Sequence, residues 1–289
     1  MAIVLQLFVN TLVTAAMYAL VASGLSFIYA TCRVFHLAHG FTVAVGAFAF
    51  WLVVANRGGV MWLGALAAVI AAVIVGTIMN EVVYERLRAK KVKGSGVLVA
   101  TIALLMFGGA FLQAIFGAQP KTLGVETMII HLGPASMTQL QLGIILTAII
   151  LLTLLALFLR YTKFGKAMRA TADNEIVAEV LGIKTRLVRR LTFAIGSALG
   201  AVAGVAMALE FNADPNMGVM AAIKGFTAVV IGGAGSMAGV LLGSVILGGA
   251  EQAAVWFAGS GWKNAVAFVL LFVFLLIRPR GIFGRKWFV

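Results

Sequence analysis

Hydrophobic runs that contain no Asp, Glu, Lys or Arg recur along most of this 289-residue chain. A helix that crosses the hydrocarbon core of a bilayer needs about 20 mostly apolar residues. Charge-free runs of that order lie at 1–32, 58–80, 94–120, 127–159 and 225–250. Only 11% of the residues are charged, against about 25% in soluble domains. The runs therefore predict an all-α integral membrane protein with about eight or nine hydrophobic helices, some of them broken or re-entrant.

The basic residues are clustered rather than spread along the chain. Of the 22 Lys and Arg, 17 fall within 86–93, 160–190 and 278–289. Such clusters are typical of cytoplasmic loops and of loops that contact anionic lipid headgroups. The net charge of +13 therefore indicates membrane topology and not a nucleic-acid partner. The first basic residue is Arg33, so a signal peptide is not expected. We expect the N-terminus outside and the C-terminus in the cytoplasm.

Nine hydrophobic segments can be delimited, an odd number that agrees with termini on opposite sides. Two of the junctions between them look related: TCRVFHLAHG at 31–40 and GGAGSMAG at 232–239. Paired interruptions indicate a translocation site, and they suggest an internal repeat of about 5–93 and 211–289 within one domain spanning 1–289. The short segment 219–231 is expected to be a half-helix. The nine segments are 5–30, 38–56, 60–80, 97–117, 140–159, 191–211, 219–231, 238–257 and 264–277.

The loop 160–190 contains a short amphipathic helix. Asp173 is a natural N-cap and Gly182 a natural stop. One face carries the apolar side chains, and the acids lie four residues apart on another. A helix this short is marginal alone, so we expect it to dock on a subunit outside the bilayer. The predicted coupling residues are Asp173, Glu175, Ile176, Val177, Glu179, Val180, Leu181 and Gly182.

Four polar residues are candidates for the substrate path. His36 and His39 lie three apart at the first interruption; a metal site is one reading, and a bent segment whose polar groups satisfy broken backbone is the other. Ser236 lies in the second interruption, which is either unwound backbone at the path or close packing of small residues. Glu251 is either a path residue or a carboxylate near the outer surface. Four lone basic residues are expected outside or near the outer interface: Arg57, Lys121, Lys224 and Lys263.

Other kinds of chemistry find little support in the sequence. Cys32 is the only cysteine, which excludes an internal disulfide and a thiolate metal cluster. GGAGSMAG is not followed by Gly-Lys-Ser/Thr, so it is not a phosphate-binding loop. We expect no metal, no cofactor, no catalytic residues and no ATPase within this chain. An ion-coupled carrier or channel for small solutes remains the alternative, and a membrane enzyme comes third.

Several stretches together resemble the permease subunits of branched-chain amino acid ABC importers, the LivH type. The resemblance implies a permease subunit in a bacterial-type inner membrane, with 165–183 engaging the ATPase. It also implies a second homologous permease, two nucleotide-binding ATPase subunits that bind the ATP, and a periplasmic substrate-binding protein. The matching stretches are YALVASGLSFIY (18–29), VFHLAHG (34–40), VLVATIALLMFGGAFLQ (97–113), GKAMRATADNEIVAEVLGI (165–183), LTFAIGSALGAVAGV (191–205), KGFTAVVIGGAGSMAG (224–239) and IRPRGIFGR (277–285).

Two positions depart from the family pattern, and both lie at the interruptions. Phe41 stands where the family usually has Glu, and Ala238 where it usually has Pro. Members of the family move leucine, isoleucine and valine, while others are associated with urea, amides or aromatic acids. We expect a small, largely apolar amino acid or a related acid, selected mainly by the binding protein. The segments 191–211 and 225–250, rich in Gly, Ala and aliphatic residues, would then form a weakly binding route.

Overall fold

The computed structural model describes residues 2–284; Arg285 and Lys286 of the third basic cluster lie outside them. The chain is 78% helical, which confirms the all-α prediction. The helices are α1 (Ala2–Cys32), α2 (His39–Val54), α3 (Met61–Met79), α4 (Glu85–Ala89), α5 (Gly94–Phe116), α6 (Gln139–Tyr161), α7 (Lys163–Asp173), α8 (Glu175–Val180), α9 (Thr185–Phe211), α10 (Met217–Gly232), α11 (Met237–Ala258) and α12 (Lys263–Ile277).

Seven helical stretches of the described chain are long and apolar enough to cross a membrane. One of them joins α3 to α4 through the π-helical turn Asn80–Tyr84. Two apolar helices, α2 and α10, have only 16 residues each. Each of these nine elements overlaps one of the nine predicted hydrophobic segments. Hydrophobic runs therefore located the apolar part of each element, while α9 begins at Thr185 and the α3–α4 stretch ends at Ala89, both outside the predicted bounds.

The segment between α5 and α6 contains a small antiparallel hairpin. Its strands are β1 (Ile129–Leu132) and β2 (Ala135–Thr138), with Leu132 opposite Ala135. Gly133 has a φ of 63°, as a tight hairpin turn requires. The hairpin sits against the N-terminal part of α1, where the Gln6 side chain accepts a hydrogen bond from the Ser136 amide at 2.9 Å. Lys121 and Ala213 form an isolated bridge, so the segments before α6 and after α9 meet at this end of the bundle.

Helix α1 lies at the centre of the bundle and packs against α9, α10 and α11. Small residues on α9 allow close approach of its neighbours. Gly196 faces Ile28 of α1, while Gly200 faces the ring of His39 and Gly204 faces the backbone of Val43 in α2. These three glycines, spaced four apart, thus seat two helices.

The C-terminal segment folds back on the end of α10. The amide of Ile282 donates to the carbonyl of Ile231, and the amide of Phe283 donates to that of Gly232, each at 2.9 Å. Gly233 and Gly281 are in close contact and both have positive φ, 102° and 72°. The second interruption is therefore covered by residues that follow α12.

Candidate functional site

The short helix of the 160–190 loop forms one residue later than predicted. Asp173 is the last residue of α7 and not an N-cap, so that prediction is wrong. The chain leaves α7 at Asn174, whose backbone is extended (φ −151°, ψ 110°). The Asn174 side chain then accepts a hydrogen bond from the Val177 amide at 3.1 Å. Asn174 therefore caps α8, because only a residue with non-helical backbone can place its side chain over the first amides.

Gly182 ends this helix, as predicted. Its φ is 82°, a conformation that glycine adopts without a steric penalty. The Gly182 amide donates to the Glu179 carbonyl at 2.9 Å, and the Ile183 amide donates to the Ala178 carbonyl at 3.0 Å. This pair of bonds is a Schellman motif, so both ends of the six-residue helix are satisfied within the chain.

The predicted apolar face of α8 points away from the rest of the chain. We define this docking face as Ile176, Val177, Val180 and Leu181, whose exposed fractions range from 52% to 82%. Ala178, on the opposite side, is buried against the chain. Contiguous exposed apolar residues of this kind mark a protein or membrane interaction site.

The acidic side of α8 is bound within the chain. Glu175 forms ion pairs with Arg88 at 3.0 Å and with Arg189. Arg189 also makes two hydrogen bonds to Glu85, at 2.7 and 2.9 Å, a bidentate arrangement. The hydroxyl of Thr185 donates to Glu179 at 2.6 Å. Glu175 and Glu179, which were predicted for the coupling loop, therefore hold α8 to α4 and α9.

We call the network formed by Glu175, Glu179 and their partners the anchor. Sequence reasoning missed three of its residues. Arg88 and Arg189 belong to basic clusters that were interpreted as topological charge, and Glu85 directly precedes the first of these clusters. The Arg88 guanidinium also donates to the carbonyl of Cys32, at the end of α1, at 3.1 Å. The signal that was available is the presence of acids inside clusters that are otherwise basic. The anchor therefore connects α8 to α1, α4 and α9.

The first interruption buries both of its histidines. The Nδ1 atom of His36 lies 2.6 Å from the hydroxyl of Tyr84, in the π-helical turn. The ring of His39 packs beside Gly24 of α1 and Gly200 of α9. The centroids of the two imidazole rings are 6.1 Å apart. Within residues 2–284 no group of three or more His, Cys, Asp or Glu could hold a metal ion.

The second interruption lies on the other side of the same part of α1. The Gly235 amide donates to the hydroxyl of Ser26 at 3.0 Å, two residues from Gly24, which touches His39. Ser236 caps α11, since its hydroxyl accepts from the Gly239 amide at 3.1 Å. Gly232 and Gly239 pack against each other. The second interruption thus combines unwound backbone with close packing of small residues.

Glu251 is fully buried and paired. Its carboxylate accepts a hydrogen bond from the Tyr18 hydroxyl at 2.6 Å and lies 3.2 Å from the ammonium of Lys224. The expectation that Lys224 lies outside or near the outer interface is wrong, because it is the eighth residue of α10 and only 7% exposed. A charge can be buried there because α11 supplies the counter-charge. Glu251 contacts Tyr18 of α1. It therefore lies apart from His39, which packs beside Gly24, and from the interruption that contains Ser236, which contacts Ser26.

Comparison with known proteins agrees with this architecture. Residues 7–275 match the family model described as "Branched-chain amino acid transport system / permease component". The chain is 33% identical to the high-affinity branched-chain amino acid transport system permease protein LivH of Escherichia coli K12, over 97% of this chain and 96% of that protein. It is 32% identical to the corresponding BraD protein of Pseudomonas aeruginosa, with the same coverage.

A solved structure shares the fold at low sequence identity. It is PsaBC from Streptococcus pneumoniae in complex with Fab, with a TM-score of 0.53 and 13% identity, covering 94% of this chain and 91% of that one. At this identity the likeness concerns the fold alone. The family match and the two relatives cover nearly the whole length of the helical bundle described above. The chain therefore belongs to the family of branched-chain amino acid transport system permease components.

Proposed function

We propose that this chain is the transmembrane permease subunit of an ABC importer for branched-chain or related small amino acids. Its closest support, beyond family membership, is the exposed docking face of α8. The chain would form one half of the translocation path and a second homologous permease the other half. Two ATPase subunits would supply the energy, and a periplasmic binding protein would deliver the substrate.

The anchor on the acidic side of α8 explains how a docked subunit would act on the bundle. A six-residue helix is unstable alone, yet here ion pairs hold it to α4 and α9. Its docking face is therefore presented in a fixed orientation. Because Arg189 belongs to α9 and Arg88 contacts the end of α1, a displacement of α8 would move both central helices. This is the coupling that alternating access requires.

Orientation in the membrane follows from the basic clusters. Nine alternating crossings would place the N-terminus and the 118–139 loop outside, with the C-terminus and the 160–190 loop in the cytoplasm of a bacterial-type inner membrane. The bridge between Lys121 and Ala213 supports the 118–139 loop and the segment after α9 lying at the same end of the bundle. In a Cys32→Ala background, a cysteine at Glu126 should react with an impermeant thiol reagent added outside, whereas one at Asp173 should not. The reverse pattern would overturn the orientation.

The docking face provides the direct test of function. Val180→Asp places a carboxylate in the proposed interface, whereas Val180→Thr keeps the shape and adds no charge. We expect the Asp variant to insert normally but to lose substrate uptake and its stimulation of ATP hydrolysis in the assembled complex. The Thr variant should retain most of both activities. A complex in which the Asp variant transports normally, or in which the docking face is open to solvent, would contradict the proposal.

An ion-coupled carrier would require a carboxylate in the membrane that binds and releases a cation. Glu251 is the candidate, but its charge is already paired with Lys224, and Tyr18 donates a hydrogen bond to it. This pairing favours the ATP-driven mechanism. Uptake into vesicles that requires ATP and is unaffected by ionophores would separate the two.

A further inference from the structure

One face of α1 carries a column of polar side chains. Gln6, Asn10, Thr14 and Tyr18 follow one another at intervals of four residues, so they line up along the helix. The Gln6 amide donates to Asn10 at 3.0 Å. Polar side chains within a membrane helix are costly and indicate a functional site. This column leads from the end of the bundle that carries the hairpin to the buried Lys224–Glu251 pair.

A cavity of about 280 Å³ opens beside this column. It lies among the N-terminal part of α1, the start of α6, the ends of α9 and α11 and the start of α12. Its volume is at the lower limit of about 300 Å³ for small-molecule sites, so only a small ligand fits. Six of its eight lining residues are polar or charged: Asn10, Thr14, Gln141, Glu210, Gln252 and Lys263, with Val13 and Phe211 completing it.

The hydrogen bonds in the described chain occupy only part of the polar lining. One oxygen of Glu210 accepts from Gln141 at 2.9 Å, and the Gln252 amide nitrogen donates to Thr14 at 3.0 Å. The second Glu210 oxygen and the Gln252 carbonyl oxygen remain as acceptors. The Asn10 amide nitrogen and the Lys263 ammonium remain as donors, with Lys263 lying 5.2 Å from the centre of the Phe211 ring.

These groups form two pairs of opposite character. Glu210 and Gln252 offer acceptors for a cation, while Lys263 and Asn10 offer donors for an anion. The lining has one acid and one base, so its formal charge is zero. The adjacent Lys224–Glu251 pair is also charge-balanced. A ligand with a single charge would pair with only one of the two charged groups. A small zwitterion would match both.

We propose that this cavity binds the ammonium and carboxylate groups of a free amino acid. Glu210 and Gln252 receive the ammonium, Lys263 and Asn10 receive the carboxylate, and Val13 and Phe211 contact the side chain. The site recognises the groups that all amino acids share and leaves side-chain selection to the binding protein. The proposal rests on the proposed function and adds a substrate site within this subunit.

The test uses the assembled complex in lipid nanodiscs without the binding protein. Radiolabelled L-leucine is the probe, and two competitors each lack one charge: 4-methylpentanoate has no ammonium, and 3-methylbutylamine has no carboxylate. We expect leucine to bind and both competitors to displace it poorly. Glu210→Gln should weaken leucine binding at least tenfold and lose the preference over 4-methylpentanoate. Lys263→Gln should also weaken leucine binding at least tenfold, and it should lose the preference for leucine over 3-methylbutylamine.

Matched controls are Glu126→Gln and Arg57→Gln, which remove the same kinds of charge from loops outside the cavity. Both should bind leucine as the unaltered complex does. If a neutral variant does not assemble, Glu210→Asp and Lys263→Arg keep the charges. These should weaken leucine binding while preserving the discrimination against both competitors. A purely structural role would not link each residue to one particular competitor.

Two results would overturn the proposal. One is the absence of leucine binding by the unaltered complex at millimolar concentration. The other is unchanged affinity and discrimination in both neutral variants. ATP-driven leucine uptake with the binding protein is measured on the same preparations. If uptake occurs but leucine binding is the same in the cavity variants, the cavity site alone is refuted. If the unaltered complex shows no uptake, the proposed function is refuted.

Discussion

Replacing Arg189 with Met should release α8 from the bundle. The Arg189 side chain is 7% exposed and holds Glu85, itself only 14% exposed, through two hydrogen bonds. The link from Arg189 to α8 itself is the ion pair with Glu175, whose side chain is 33% exposed. Loss of a partly exposed pair costs about 1 kcal/mol, and Glu175 keeps its ion pair with Arg88. At 1.36 kcal/mol for each factor of ten, this shifts the equilibrium between held and released α8 by about fivefold.

Hydrogen exchange of the α8 amides measures this release directly. In Arg189→Met we expect the amides of Ala178, Leu181 and Gly182, which are hydrogen-bonded here, to exchange about fivefold faster, because local opening limits their exchange. Arg190→Met is the matched control, since Arg190 is exposed and lies next in the chain. Equal exchange rates in the two variants would show that the Arg189 ion pairs do not hold α8.

Two further predictions concern the interior of the bundle. Gly204→Ala should cost about 1–3 kcal/mol by overpacking, because a Cβ there would meet the backbone of Val43; thermal unfolding should detect it, and Gly143→Ala, with nothing within 4 Å, should not destabilise. Lys224→Met and Glu251→Leu should each destabilise by about 3 kcal/mol because each leaves an unpaired buried charge, whereas the double variant should recover most of that loss. A double variant that is stable but does not transport would assign the Lys224–Glu251 pair a role in transport.

The sequence determined helix positions well because burial in lipid imposes a strong length requirement. It also identified Gly182, since few residues other than glycine end a helix with positive φ. It misplaced the N-cap because Asp173 and Asn174 are both good caps, and only the length of α7 decides between them. Local sequence patterns do not determine at which residue α7 ends.

The pairing of charges was harder to foresee. Lys224 was assigned to the outside or the outer interface because it lies away from the three basic clusters that mark the cytoplasmic ends. Its partner Glu251 lies 27 residues away, on a different helix. Arg189 and Glu85 are 104 residues apart. Such pairs depend on which helices become neighbours, and single-segment reasoning does not supply that information.

The contact between the C-terminal segment and α10 has a consequence for the order of assembly. With 16 residues, α10 is about 24 Å long, less than the roughly 30 Å of a hydrocarbon core. Its last carbonyls receive donors from Ile282 and Phe283, which are synthesised some fifty residues after Gly232. Until those residues emerge, the carbonyls of Ile231 and Gly232 lack these donors, and unpaired carbonyls are costly wherever water is excluded. Helices α10, α11 and α12 must therefore mature together, as one late unit of biosynthesis.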